Sequence, residues 1–264
     1  VVQSVPIRDG RPPRLAFVAS PAPEAELAAR RLARFHGEVP FADADVVVAL
    51  GGDGMMLQTL HRALEGGKPI FGMNRGSVGF LMNEFREDGL IERIAQARRS
   101  FVHPLSMLVT TADGSTRRER AFNEVSLLRQ TYQAAKLEIS VDGAVRLPEL
   151  IADGVLVATP VGSTAYNLSA NGPILPLDAP LLALTPISPF RPRRWRGALL
   201  PDHVRIAIRV LEATKRPVAA VADHSEHRDA VEIEIGMDHS VSLVMLHDQG
   251  HSLDERIIRE QFGV

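Results

Sequence analysis

Residues 50–56 read L-G-G-D-G-M-M and set one carboxylate, Asp53, among three glycines. The stretch follows the apolar run D-V-V-V-A-L and precedes a segment with helical spacing, which puts it between a buried strand and a helix. Glycines leave room for a phosphate to reach backbone N–H groups, and a helix N-terminus adds a favourable partial charge. A carboxylate repels phosphate. Asp53 therefore fits this place as a proton acceptor, or beside a metal ion that offsets the repulsion. The four letters alone serve equally well as a plain strand-to-helix turn.

Three further motifs carry polar groups. N-R-G-S-V-G-F-L, residues 74–81, follows a third apolar strand and so shares the sheet edge with Asp53. Arg75 could meet a phosphate there, although a lone arginine is more often a surface residue. Asn123 and Glu124 interrupt the strand-like run A-F-N-E-V-S-L-L, a pair able to hydrogen-bond a base and ribose hydroxyls or simply to sit on an edge strand. Residues 152–173, A-D-G-V-L-V-A-T-P-V-G-S-T-A-Y-N-L-S-A-N-G-P, hold too many special residues in a row for a purely structural reading. Asp153 precedes a strand over 155–158. Ser163 and Thr164 are placed to cap a short helix running to Ala170, and Tyr166 can stack on a base. Neither G-x-x-x-x-G-K-[ST] nor G-x-G-x-x-G occurs, which excludes a P-loop and argues against a standard dinucleotide cradle.

The elements that must position these groups follow from periodicity. Short apolar runs predict strands at 15–19, 45–50 and 69–72. Helical spacing predicts helices over 24–35, with Leu27, Leu32 and Phe35 on one side, from Met56 to Leu64, and from Leu90 to Ala95. Strand–helix alternation means an α/β domain with a parallel sheet over 14–99. From 100 to 250 the texture is β-rich and sandwich-like, with D-G hairpin turns at 113–114 and 142–143 and strands at 204–210, 231–235 and 241–246. Residues 251–264 read as a C-terminal helix packing back on the body, with Ser252 and Glu255 as a capping box. Residues 1–13 read as an extension or a cloning remnant.

Composition narrows the classes. The 264 residues are 45% hydrophobic and 23% charged with net charge −2, so any anionic ligand must be held by local groups. No cysteine is present, which excludes disulfides, thiolate metal sites and thiol nucleophiles. Neither a membrane-length apolar run nor a signal-peptide pattern is found; the expectation is a cytoplasmic protein without membrane contact. Arg191, Arg193, Arg194 and Arg196 surround the only tryptophan, but the neutral balance favours a solvated loop or subunit contact over a nucleic-acid patch. The nine histidines lack metal-ligand spacing.

Taken in order and spacing, G-G-D-G, N-R-G-S-V-G-F-L, N-E, D-G-V-L-V-A-T-P-V-G-S-T-A-Y-N-L-S-A and L-A-L-T-P-I-S-P resemble the NAD kinase family from about Leu15 onward. The resemblance implies an α/β domain followed by a β-rich domain, and transfer of the γ-phosphoryl of ATP to the adenosine 2′-hydroxyl of NAD. It implies Mg²⁺ on the nucleotide phosphates, and self-association as a dimer or tetramer. It implies Asp53 as the general base with Gly54 beside it. It also implies Asn123, Glu124, Asp153, Val161, Thr164, Ala165, Tyr166, Asn167, Leu168 and Ser169 as residues that bind or line the pocket of the dinucleotide. Three positions depart from the family pattern: Asn171 stands for a glycine, Phe190 for a histidine, and Asp223-His224-Ser225 where D-G is usual. A lipid kinase sharing G-G-D-G, or a catalytically silent dinucleotide sensor, is the alternative.

Overall fold

The computed structural model describes residues 11–76 and 79–249. Along the chain run β1 (Leu15–Ala19), α1 (Pro23–His36), β2 (Val46–Gly51), α2 (Asp53–Ala63), β3 (Ile70–Asn74), α3 (Leu90–Gln96) and β4 (Arg98–Val102). A long β series follows: β5 (Leu105–Thr111), β6 (Thr116–Ala121), β7 (Glu124–Arg129), β8 (Ala135–Val141), β9 (Ala144–Ala152) and β10 (Gly154–Ala158). After the short helix α4 (Tyr166–Ser169) come β11 (Leu181–Ile187), β12 (Ala198–Pro201), β13 (Ile206–Val210), β14 (Val218–Ala222), β15 (Ser225–Met237) and β16 (Leu243–His247). The chain forms two compact units. One holds the residues up to Val102 together with those from Val241; the other is His103–Ser240.

The first unit is built on a five-stranded sheet in the order β1-β2-β3-β16-β4. The pairs β1–β2, β2–β3 and β3–β16 are parallel, whereas β16–β4 is antiparallel, so the sheet is mixed rather than wholly parallel. Every residue of β2 is buried, the mark of a strand covered on both faces. Burying each of its valine and leucine side chains stabilises the unit by ~1.5–3 kcal/mol. Helix α1 opens with Pro23 at its first turn, carries Glu24 and Glu26 there, and stops at Gly37 with φ 76°. It buries Ala25, Ala28 and Leu32. The expected face was partly wrong: Leu27 is 56% and Phe35 82% exposed, because the two alanines let the helix lie close to the sheet and turn the larger residues outward.

Strand β16 corrects the domain boundary. Its sequence follows β15 like the next strand of a meander, and the β-rich domain was expected to reach residue 250. It lies instead between β3 and β4, with Met245 opposite Ile70 and Leu246 opposite Phe71. The side chain of Asn83 donates to the Leu246 carbonyl (3.0 Å) and accepts from the Asp248 amide (3.0 Å). Arg93 on α3 pairs with Asp248. The nearly continuous burial of β16, against the alternation of β15, is the sequence signal that separates them.

The second unit is a single antiparallel sheet of eleven strands, a half-barrel, with the path β12-β11-β10-β7-β14-β15-β13-β8-β9 and β5–β6 attached through β15. The expected β-rich, sandwich-like domain takes the form of one continuous hydrogen-bonded sheet. Inward residues alternate along β5, β8, β13 and β15 and build its main core. Both expected D-G turns close hairpins. At Asp142-Gly143 both residues have positive φ (49° and 77°), as the two-residue hairpin turn requires. On the opposite face of β10 and β11, Leu156, Ala158, Leu175 and Ala183 form a smaller core with Tyr166 packed on it. Among the described residues, no helix is long and apolar enough to cross a membrane. The predicted helix over 251–264 and the first ten residues of the expected extension over 1–13 lie outside the described residues.

Candidate active site

In the first unit, β2 ends at Gly51 and the chain turns into α2 through Gly52, whose carbonyl accepts the amides of Met55 (2.9 Å) and Met56 (3.2 Å). A side chain at Gly51 would press within 2.8 Å of the Met55 Cβ, whereas around Gly52 and Gly54 the space is open. The first turn of α2 thus faces clear space with Asp53 at its start. The Asp53 carboxylate is held by the second glycine loop: Oδ2 accepts the Phe80 amide at 2.8 Å and Oδ1 the Leu81 amide at 2.9 Å. Gly79 permits this approach, since a Cβ there would lie 2.5 Å from Oδ1. A carboxylate has about four lone-pair sites, so two amides leave one free on each oxygen for a further donor.

Arg75 stands at the end of β3, its amide donating to the Gly51 carbonyl at 2.9 Å. Its guanidinium lies 4.1 Å above the Phe85 ring, and its Nε is buried with no hydrogen-bond partner. The stacking fixes the cation at the sheet edge that carries Gly51 and Asp53.

In the second unit, Asn123 and Glu124 stand at the start of β7, half-buried. The loop after β10 is pinned to them. The Thr159 amide donates to the Asn123 carbonyl (3.0 Å), its hydroxyl donates to the Phe122 carbonyl (2.6 Å), and that same hydroxyl accepts the Gly162 amide (3.0 Å). Gly162 must be glycine, because a Cβ would lie 2.1 Å from the Asn123 carbonyl oxygen. The Tyr166 amide donates to the Glu124 carboxyl, and Glu124 and Asp153 both raise the Tyr166 phenol, after burial, above its ordinary range. Asp153 pairs with Arg129 at 2.6 Å. Burial, then the charge of Asp223, push the Glu124 carboxyl up to about 7, and its Oε2 is buried without a partner.

The other expected residues divide by role. Thr164, Ala165 and Leu168 are half-buried, Ser169 is exposed and Val161 is buried. Asn167 does not present its side chain outward. It is fully buried, its amide donating to the carbonyls of Ser163 (3.1 Å) and Pro173 (2.8 Å) while its oxygen accepts from the Thr185 hydroxyl (2.7 Å). Ser163 and Thr164 do not cap α4. The N-cap is Ala165, with no side-chain bond, and the Ser163 hydroxyl is spent on Pro160 (2.7 Å) and Leu175 (3.0 Å). These short polar groups bind loop backbone because the loop folds over its own centre and supplies the partners. Asn171 takes the left-handed conformation, φ 60°, that a glycine would otherwise supply. Phe190 is exposed, with Arg191 and Arg193 about its ring.

Sequence reasoning missed Asp223 as an internal acceptor. Its carboxylate takes the amides of Phe122 (2.7 Å), Asn123 (3.0 Å) and Glu124 (3.3 Å). The signal available was Asp223 itself, at the end of an apolar strand where a turn must form. Among the described residues, no group of three His, Cys, Asp or Glu side chains is placed to hold a metal ion. His227 bonds Glu119 instead (3.1 Å).

The first unit thus offers an anchored carboxylate at a glycine-lined helix N-terminus, and the second a polar strand end beside an aromatic loop, groups of the kind a nucleotide-handling phosphotransferase uses. Comparison with known proteins makes this specific. The ATP-NAD kinase N-terminal domain matches residues 24–99 and the ATP-NAD kinase C-terminal domain matches 122–242. The NAD kinase of Caulobacter vibrioides is 61% identical over 95% of this chain and 96% of its own. That of Rhizobium meliloti is 58% identical over 94% and 97%. An NAD kinase structure from Archaeoglobus fulgidus in complex with ATP superposes with TM-score 0.75 at 26% identity, over 95% of this chain and 97% of that one. The fold also matches yeast NADH kinase complexed with NADH, TM-score 0.83 at 23% identity, over 96% and 88%. The chain belongs to the ATP-NAD kinase family, and the lipid-kinase and silent-sensor alternatives are not favoured.

Proposed function

We infer that this chain is an NAD kinase: the adenosine 2′-hydroxyl of NAD attacks the γ-phosphorus of ATP, the bond to the bridging oxygen of ADP breaks, and NADP and ADP result. The observation that carries the residue assignment is the Asp53 carboxylate, fixed by two amides at the start of α2 beside open glycines. Asp53 accepts the hydroxyl proton as the new P–O bond forms, a contribution of ~10²–10⁴ in rate. Gly52 and Gly54 leave the helix N-terminus accessible to phosphate, and Arg75 adds a positive charge at the same sheet edge.

Asn123, Glu124, Asp153, Tyr166 and the loop residues Val161, Thr164, Ala165, Leu168 and Ser169 hold the dinucleotide, with Tyr166 stacking on a base. Asn167 serves that loop from inside. Mg²⁺, when bound with the nucleotide, would supply charge neutralisation of its phosphates; it keeps most of its waters and uses substrate oxygens, so it would not need a cluster of protein ligands. Self-association as a dimer or tetramer and a cytoplasmic setting belong to the same reading.

The test is NADP formation from NAD, ATP and Mg²⁺, read with an NADP-specific dehydrogenase, for the wild type and Asp53→Asn. Turnover that collapses in a folded, NAD-binding variant supports Asp53 as base. Near-full activity in the variant overturns that role.

A further inference from the structure

The turn between β14 and β15 contains Asp223 in the left-handed conformation, φ 51°, a cost that a non-glycine residue bears only where its surroundings compensate. Its backbone amide donates to the Glu124 carbonyl at 3.1 Å. Its carboxylate accepts three successive amides, those of Phe122, Asn123 and Glu124. Consecutive N–H groups that converge in this way form an anion-binding concavity. Here the protein fills it with its own carboxylate, reached from about a hundred residues away along the chain.

We propose that Asp223 is the positioning residue of the dinucleotide site: it clamps the Asn123–Glu124 backbone and sets Glu124, with its buried and unpartnered oxygen, to meet the nucleoside as a hydrogen-bond donor. This rests on the reading that Asn123 and Glu124 bind NAD. Burial of one unpartnered oxygen, then the neighbouring Asp223, raise the Glu124 carboxyl to about 7, so it holds its proton to higher pH than an ordinary glutamate does. The groups facing Glu124 are Asp223 from the β14–β15 turn, with His224 next to it in sequence, and Tyr166 from α4. The Tyr166 amide donates to the Glu124 carboxyl, and Asp153, which acts electrostatically on the Tyr166 phenol, is paired with Arg129. Gly162 packs on the Asn123 carbonyl from the loop after β10, and Ala158 pairs with Glu124 across the sheet; neither carries a charge.

The closing experiment has two arms. In the ligand-free full chain, the Glu124 side-chain carboxyl is followed by ¹³C NMR from pH 5 to 9, with Glu124→Gln to assign the signal. The proposal expects a midpoint near neutrality that moves at least one unit lower in Asp223→Asn. A midpoint in the ordinary glutamate range in the wild type, or one unmoved in the variant, overturns it. In the second arm, NAD is titrated calorimetrically at pH 6.0, 7.0 and 8.5. Affinity should fall by tenfold or more in Asp223→Asn at pH 6.0, and in the wild type it should fall as pH rises from 6.0 to 8.5. Unchanged affinity in Asp223→Asn overturns the positioning role. Should Asp223→Asn fail to fold, the wild-type NMR midpoint and the wild-type pH dependence of NAD affinity decide the matter: a midpoint in the ordinary glutamate range, or an affinity that does not change with pH, overturns the proposal. A wild type that titrates as expected but binds no NAD at any pH defeats the reading of the site and leaves the Asp223–Glu124 pairing standing.

Discussion

The Phe80 backbone amide donates to Asp53 Oδ2 at 2.8 Å, so the carboxylate proposed to take a proton from substrate also ties the second glycine loop to the start of α2. With Leu81 on the other oxygen, the side chain has one orientation. The arrangement pre-orients a base without a second acidic residue, and it means that changing Asp53 disturbs structure as well as chemistry.

The two roles separate at Gly79. A methyl group in Gly79→Ala would lie 2.5 Å from Oδ1, forcing the carboxylate or the loop to move. Gly79→Ala is expected to lower kcat by at least tenfold and stability by ~1–3 kcal/mol while every catalytic group remains. Asp53→Asn keeps one acceptor and turns an NH₂ toward the other amide, so it should lose ~10²–10⁴ in kcat and ~1–3 kcal/mol of stability. Urea unfolding beside initial-rate assays checks both. Full activity in Gly79→Ala would show that the orientation is not needed.

Arg75 is expected to act on the phosphoryl donor. Arg75→Leu should raise the KM for ATP by roughly tenfold, about the ~1.4 kcal/mol of one charge-assisted hydrogen bond, and leave the KM for NAD within twofold. Arg75→Lys should recover part of the effect, because it keeps the charge and loses the stacking on Phe85. Equal changes in both KM values would count against a donor-specific role.

Asn167 braces the loop that carries Tyr166. Asn167→Ala strips the Thr185 hydroxyl of its acceptor and two carbonyls of their donor in a fully buried place. The expected loss is ~2–4 kcal/mol. Thr185→Val, which removes one bond, should cost ~1–2 kcal/mol. Denaturant midpoints at constant m-value measure both, and a loss under ~0.5 kcal/mol in Asn167→Ala would mean that the brace is dispensable.

Glu124 links stability to pH. Its carboxyl rises from the ordinary 4.5 to about 7 in the folded chain. The folded state therefore holds this proton more tightly than the unfolded state. The stabilisation is full below pH 4.5 and is lost as pH rises through about 7, by no more than ~3 kcal/mol. Glu124→Gln should remove that slope and be more stable than the wild type at pH 8. Thermal melts between pH 5 and 8.5 check it; parallel curves for the two proteins would refute the shift.

The segments whose structure depends on neighbours in sequence were readable in advance. β1 at Leu15–Ala19, the strand-to-helix turn around Asp53, the Asp142-Gly143 hairpin and the left-handed tolerance of Asn171 follow from spacing, turn chemistry and backbone sterics within a few residues. The glycines at 162 and 79 were visible as letters, and the family resemblance gave them context. Their necessity appears only when Asn123 and Asp53 are seen against them.

What the sequence by itself determined, then, is the alternation of strand and helix, the turns, and the polar residues available for chemistry. The tertiary structure decided which of those residues were used up inside. Asp223 and Asn167 look as free as Glu124 and Tyr166 in the sequence, yet the fold surrounds the first pair with buried backbone groups that they must satisfy. It likewise placed β16 between β3 and β4, where Asn83 and Arg93 hold its end, and turned Leu27 and Phe35 to the surface. The physical reason is range. Propensity acts over a few residues, whereas the partners of a hydrogen bond or the two sides of a strand are chosen by long-range packing that brings together segments as far apart in the chain as Ile70 and Met245.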